Sequence, residues 1–422
     1  MRSLRLFIKI YFYLLVLFTI SIIGVHFIPS ERLLDHVDKS ALFIETEGVF
    51  RKIFGFELFK LDNKTDCLML NMAASADSSH PVRAAMENSY YYDDMGSRGH
   101  LSLAADTRKL VKEGCDNMLC RVDYGRYWQG HQVVLRPLLL LMDYRSIRIL
   151  NIIVLTSLMM ITLMMMKRKC RPVYWITLAA VFLVLGFYVV PMTIQCSICF
   201  YIAFLSMIYL LKHHEVVADK RRLCVVFFII GGVTQYFDFF TTPQLTLGMP
   251  LMVCLHGEKS SRVNGTIILC AVAWLAGYAL LWSSKWLMAW LLTGENFLDS
   301  AMDSAVTRVS DTVYMGGEQV KISSVFMLAW QKITGIISLP LTLVLCFSLP
   351  LLLLFDFVRN RQAFVGYSWL LLIAAIVPVW FVLLKNHSLQ HFFFTWRAWW
   401  LTVYCLLLFF YFTFNDKKMV YE

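Results

Sequence analysis

The sequence predicts an all-α polytopic membrane protein of about ten transmembrane helices, with one large extracytoplasmic loop after the first. Three observations carry this. Of 422 residues, 59% are hydrophobic and only 16% charged, whereas a soluble domain carries roughly 25% charged residues. Several apolar runs approach the ~20 residues a helix needs to cross a bilayer. The strand alternation of a membrane barrel is absent. The net charge of +10 reads as Lys and Arg of cytoplasmic loops, not as nucleic-acid binding.

The first apolar run, YFYLLVLFTISIIGVHFIP, follows Arg2, Arg5 and Lys9, which places the N-terminus inside. No small-residue cleavage site follows it, so residues 1–28 read as a retained first span. Residues 29–147 form the large outer loop. Its start, ERLLDHVDKSALFIETEGVFRKIFGFELFKL, repeats apolar residues near helical spacing, as an interfacial helix does. Spans two to seven occupy 148–283 and return to the basic loops KRKCR (167–171), KHHEVVADKRR (212–222) and HGEKSSR (256–262). Spans three and four are expected over 172–190 and 194–211, and spans five and six over 223–238 and 244–256. The last two of these are short enough to be tilted or broken. Residues 284–332 form a second outer segment. Spans eight to ten fill 333–422, with DFVRNRQ and NDKKMVYE inside. Both termini are then cytoplasmic.

Span interiors hold almost no charge, which argues against an ion-coupled transporter or a lipid-carrier flippase. The unusual polar residues collect at outer span ends. Asp66, in DNKTDCLMLNMAASAD, either caps the helix-like run that follows or serves as a catalytic carboxylate. The stretch DYGRYWQGHQVVLRPLLLLMDYRSIRILN packs Tyr124, Arg126, Tyr127, Trp128, His131 and Arg136 close together. Aromatic residues there form an interface belt or a platform for a sugar ring. Arg offers a planar fork to phosphate oxygens. Arg145 and Arg148 are expected to snorkel to the interface. Asp238, in FDFFTTPQLTLG, sits in water, caps the next helix beside Thr241 and Thr242, or contacts a substrate.

In NHSLQHFFFTWR, His387 and His391 are four apart and share one face of a helix. No HExxH pattern or Cys set accompanies them, so a divalent metal is not favoured and no cofactor is identified. Arg397 faces a lipid phosphate or anchors the interface. Cys115 and Cys120 could pair if the backbone turns between them. Cys196 and Cys199 read as packing. There is no Gly-rich nucleotide loop.

The stretches TDCLMLNMA, YGRYWQGHQVVLRPLLL, QYFDFFTTPQLTLG and NHSLQHFFFTWRAW resemble the GT-C class of integral-membrane glycosyltransferases, in particular bacterial members associated with surface polysaccharides. The resemblance implies a many-span helical fold and a first outer loop with interfacial helices. It also implies an essential carboxylate soon after span one and a sugar donor carried on a polyprenyl phosphate. On it, Asp66 would be the base. Arg126, Arg136, His387, His391 and Arg397 would hold the donor phosphate. Tyr124, Trp128, His131 and Asp238 would hold sugar or acceptor. The acceptor would be a cell-surface glycan or lipid, outside a bacterial plasma membrane. The chain departs from the class in having no paired acids, since Asp62 is the nearest acid to Asp66. The rival within enzymes is a polysaccharide polymerase or ligase with a lipid-diphosphate donor and an Arg/His-based site. A flippase or a structural assembly subunit stands outside that class.

Overall fold

The computed structural model describes residues 2–93, 103–114, 119–258, 263–310, 321–333 and 339–416. The first span is α1 (Arg2–His26). A layer of short elements follows: α2 (Leu34–Glu47), α3 (Asn63–Ser75), α4 (Pro81–Glu87), β1 (Tyr90–Tyr92), α5 (Leu103–Glu113), β2 (Cys120–Val122) and α6 (Gln132–Leu139). The two short strands pair antiparallel, with Tyr91 opposite Arg121.

The chain then runs through α7 (Tyr144–Lys169), α8 (Pro172–Val184), α9 (Ile194–Lys212), α10 (His214–Ala218), α11 (Lys220–Phe237), α12 (Gln244–Cys254) and α13 (Asn264–Thr293). Next come α14 (Leu298–Val309) and α15 (Ile322–Ile333). The final bundle is α16 (Leu339–Arg359), α17 (Arg361–Ala374), α18 (Ile376–Leu383), α19 (Lys385–Gln390), α20 (Phe392–Thr395) and α21 (Trp399–Asn415).

The protein is therefore all-α and membrane-embedded. Among the described residues, six stretches are long and apolar enough to cross a bilayer: Leu4–His26, Tyr144–Lys169, Ile194–Lys212, Asn264–Thr293, Arg361–Leu383 and Phe392–Asn415. Two of the expected ten spans fall on helices that are apolar but short, α8 and α12. Chain-breaking residues account for this. Gly186 follows α8 at φ +77° and leads into a 3-10 turn holding Pro191. Pro243 precedes α12 and Pro250 lies inside it.

Small residues let α11 and α13 approach closely. A Cβ on Gly231 would lie 2.0 Å from the Trp274 carbonyl oxygen, and one on Gly277 would lie 2.0 Å from that of Phe228. Such backbone proximity is how helices pack where lipid offers no hydrophobic drive. The C-terminal half of α13 is tied to the α2–α6 layer. The buried Lys285 ammonium donates to Ala85 O at 2.9 Å and Met86 O at 2.8 Å, capping the C-terminal end of α4. The Trp128 indole donates to Leu281 O at 2.6 Å. Cys196 and Cys199 are buried free thiols, as packing requires. Cys120 is also free, while its expected partner Cys115 lies outside the described residues.

Candidate functional site

A cavity of about 320 Å³ lies where the α2–α6 layer meets α14 and the α19–α20 segment. The first turn of α3 supplies Lys64 and Thr65. The chain after β2 supplies Tyr124 and Arg126. The first turn of α9 supplies Gln195, α14 supplies Ser304, Thr307 and Arg308, and the α19–α20 segment supplies His387, Gln390 and His391. Leu68, Tyr90, Phe239, Phe393 and Phe394 complete much of the wall. Among the described residues, the lining holds three cations and no carboxylate.

The two guanidiniums are held by hydroxyls and aromatic rings. The Arg126 guanidinium lies 4.1 Å from the Tyr124 ring centre and donates to Ser300 Oγ at 3.4 Å. The Arg126 main-chain oxygen accepts from the indoles of Trp282 at 2.9 Å and Trp286 at 3.1 Å, which fixes its backbone. Arg308 donates to the Tyr127 hydroxyl and sits 4.6 Å over the Phe240 ring. Tyr127 in turn stacks on Trp282, with planes 9° apart. Cation–π contact holds a guanidinium in place without cancelling its charge. Among the described residues, no Asp or Glu forms an ion pair with Lys64, Arg126 or Arg308. Three buried N–H groups of the lining, Arg126 Nε, Gln195 Nε2 and Arg308 Nη1, have no hydrogen-bond partner among the described residues. Buried donors are normally satisfied, so this set is arranged for an acceptor.

The two imidazoles face each other with ring centres 4.7 Å apart. His387 Nε2 bonds to Phe240 O at 3.0 Å, so that nitrogen carries the proton. Burial holds the His387 pKa well below its usual range, with His391 and Arg308 adding to the effect. Burial, then Arg308 and Lys64, push His391 down to about 4. Both rings are neutral at pH 7. Asn386 fixes the segment by donating to Thr307 O and Ser310 Oγ, each at 2.7 Å.

Four of the ten sequence-derived candidates thus share the cavity: Tyr124, Arg126, His387 and His391. The other six do not line it. Asp66 lies directly behind it, between the lining residues Thr65 and Gln195, and its oxygens are already occupied. They accept from the Tyr144 hydroxyl, from Ile194 N at 2.8 Å and from Gln195 N at 2.9 Å. Asp66 therefore binds the N-terminus of α9 rather than capping its own helix. Asp62 caps α3 through Thr65 N at 3.1 Å. Burial pushes the Asp66 pKa up to about 6, against the pull of these three donors.

Arg136, completely buried, donates to Val25 O, Ala73 O, Ile28 O and Ser30 Oγ, and no fork remains for phosphate. Arg397, also buried, donates to Lys60 O at 2.9 Å and Phe393 O at 3.2 Å. It faces neither lipid nor solvent. Trp128 and His131 pack inside. The His131 ring lies 4.8 Å from that of Phe239, and Gly130 leaves no room for a Cβ against the Tyr236 ring. Asp238 is buried and accepts from Thr241 N and Oγ1, a local cap and not a watered carboxylate. Arg148, expected to snorkel, is instead buried, paired with Glu47 at 2.8 Å and bonded to Asn63 at 2.9 Å.

The sequence reading missed Lys64, Gln195 and Arg308. Lys64 sits two residues before Asp66 and could have been found there. Arg308 lies in a polar segment with no local motif, and only packing brings it to the site.

Comparison finds no protein family, no curated protein and no solved structure that matches this chain. Fold and site together define an all-α membrane-embedded protein with a cavity that, among the described residues, is lined by cations and no acid.

Proposed function

We propose that the protein is a membrane glycosyltransferase. In this reading it takes a sugar from a polyprenyl-phosphate-linked donor and passes it to a cell-surface glycan or lipid acceptor. The cavity holds the donor phosphate. The observation that carries this is the set of Lys64, Arg126 and Arg308 with three buried N–H donors that, among the described residues, meet neither a partner nor a lining carboxylate. Cations fixed against a leaving phosphate lower the barrier, because negative charge grows there in the transition state. Tyr124 and Tyr90 line the same cavity, where aromatic rings would suit a sugar. The reading, through the resemblance, places ten spans in a bacterial plasma membrane, and the Lys/Arg bias of the short loops supports cytoplasmic termini with the cavity extracytoplasmic.

One observation favours a second form of the reading. The Asp66 oxygens already accept three bonds, while His391 lines the cavity as a neutral imidazole. An Arg/His-based transfer from a lipid-diphosphate donor, as in polysaccharide polymerases and ligases, needs no lining acid. In that form the acceptor oxygen attacks the anomeric carbon and the bond from that carbon to the phosphate oxygen breaks. The phosphate leaves with the electron pair, and His391 takes the acceptor proton.

The test uses purified protein in liposomes with polyprenyl-linked sugar donors of one or two phosphates, reading sugar transferred. Arg126→Ala and Arg308→Ala should each lower transfer about 100-fold at an unchanged melting temperature. A double variant that keeps wild-type turnover sinks the proposal. His391→Gln separates the two forms, since only the Arg/His form requires this ring as base.

A further inference from the structure

A second cavity, of about 430 Å³, lies at the other end of α3. Small-molecule sites occupy roughly 300–1,000 Å³. Among the described residues it shares no lining side chain with the first cavity. Lys64, Thr65 and Leu68 of α3 line the first, and Met72, Ser75 and the following Ala76 line the second. From Thr65 to Ser75 the helix rises about 15 Å. Tyr90 lines the first cavity and Tyr91 the second. Neighbouring strand residues point to opposite faces, so β1 stands between the two.

The charged groups of this second lining are already paired. Glu87, which is buried, accepts from Arg83 Nε at 2.6 Å and from Arg121 Nη2. Arg83 also donates to Glu295 at 3.1 Å, and Arg121 to Asp123 at 2.8 Å. Asp77 lies 2.8 Å from His80 Nδ1 and accepts from Ser79 N at 2.9 Å. Acids and guanidiniums balance here, whereas the first cavity presents cations alone among the described residues. An anion would meet Glu87 and Asp77, and a cation would meet Arg83 and Arg121. Like charges set side by side are costly, so the wall selects an uncharged ligand.

Two buried side chains of the lining keep an open acceptor. His26, at the end of α1, is 2% exposed. Its Nδ1 lies 2.7 Å from Ile22 O, so that nitrogen carries the proton and Nε2 keeps its lone pair. Asn88 follows α4 in the left-handed region, at φ +49°, and is 3% exposed. Its Nδ2 donates to Ala85 O at 2.7 Å, and its buried Oδ1 has no partner among the described residues. Buried polar atoms are normally satisfied. A hydroxyl both donates and accepts. A molecule with several hydroxyls can therefore serve these acceptors and the edges of the Arg83–Glu87–Arg121 group together.

We infer that this second cavity binds one neutral polyhydroxylated unit, of the class of a single sugar ring, whose hydroxyls donate to His26 Nε2 and Asn88 Oδ1. The inference does not rest on the reading of the first cavity. With about 15 Å of α3 and the β1 strand between them, a unit bound here takes no part in chemistry at the first cavity's cations. It is held and not transformed.

The experiment uses the full chain in lipid nanodiscs. The probes are methyl glucoside, methyl galactoside and methyl mannoside, each with its matching uronate and amino sugar as charged controls. At least one neutral hexoside should bind, with its charged analogues about tenfold weaker or more. His26→Phe keeps a ring and removes the acceptor. Asn88→Gly keeps the left-handed backbone and removes Oδ1. Each should weaken hexoside binding about tenfold, the loss of one hydrogen bond. Inorganic phosphate should not compete. Binding of none of the three hexosides, a charged analogue that binds more tightly, competition by phosphate, or wild-type affinity in both variants overturns the inference. The sugar-transfer assay in liposomes is unaffected by these outcomes, so failure here and failure of the proposed function are told apart. A second measurement uses the wild-type protein alone and stands even where the variants misfold. A neutral hexoside carrying a diazirine is photolysed on the protein, and mass spectrometry locates the label. Labels should fall within 72–91 or at 121. Labels confined to 64–68, 124–126 and 387–391 overturn the inference.

Discussion

Asp66→Asn separates two roles that the sequence could not tell apart. The carboxylate is completely buried and accepts from the Tyr144 hydroxyl and from the first two N–H groups of α9, Ile194 at 2.8 Å and Gln195 at 2.9 Å. Its pKa, pushed up to about 6 by burial, still leaves it ionised at pH 7. An amide has one accepting oxygen. It can keep one of the two N–H bonds, and its NH2 group then faces the other N–H, donor against donor.

A hydrogen bond to a charged group is worth about 1.5–3 kcal/mol and an orphaned buried N–H costs about 1–3 kcal/mol. The helix N-terminus also loses its anion. Relief of the buried charge offsets part of this, and a net loss of about 3 kcal/mol is expected against a typical total of about 5–15 kcal/mol. The assay is thermal unfolding of the detergent-purified protein, with hydrogen exchange at 194–198 reading the end of α9. The variant should melt several degrees lower, with faster exchange there, and any loss of transfer should follow the loss of fold. An Asp66→Asn protein that melts like wild type and transfers no sugar would refute this reasoning and make Asp66 the base.

Three further outcomes are expected. Arg136→Lys should cost about 2–4 kcal/mol, because three ammonium donors cannot reproduce a fork bonded to three carbonyls and a hydroxyl. Phosphate affinity should not change, and weaker phosphate binding at an unchanged melting temperature would return Arg136 to the site. Burial holds His131 down to about 3 and His391 to about 4, so each contributes stability that is complete above pH 6.5 and lost as pH falls through those values. Asp66, raised to about 6, acts in the opposite sense, its contribution being lost as pH rises through 6. His131→Gln should therefore lose less melting temperature than wild type between pH 6.5 and 4, and an equal loss would contradict the burial argument. Gly277→Ala should destabilise by about 2–3 kcal/mol, since its Cβ would lie 2.0 Å from a main-chain oxygen of α11 that cannot swing away. A melting curve checks it, and a neutral result would mean that the two helices can part.

The sequence by itself determined the solvent. Apolar runs near bilayer length and sparse charge require helices in lipid, because no other backbone arrangement open to such a chain satisfies its N–H and C=O groups there. It also determined that the stretches around Arg126 and around His387 and His391 are unusual, since polar groups beside apolar spans are costly unless used. Only tertiary structure decided which of those groups are free. Asp66 and Arg136 look like chemistry in one dimension. Folding brings the α9 N-terminus to one and three main-chain carbonyls to the other, and a carboxylate or guanidinium whose bonds are filled has none left for a ligand. Arg308 shows the reverse. Its local sequence marks nothing, yet α14 carries it to an aromatic seat beside Arg126 and His391. The partners of these side chains lie 63 to 181 residues away, so their identity is written in the sequence but their unspent hydrogen bonds are not.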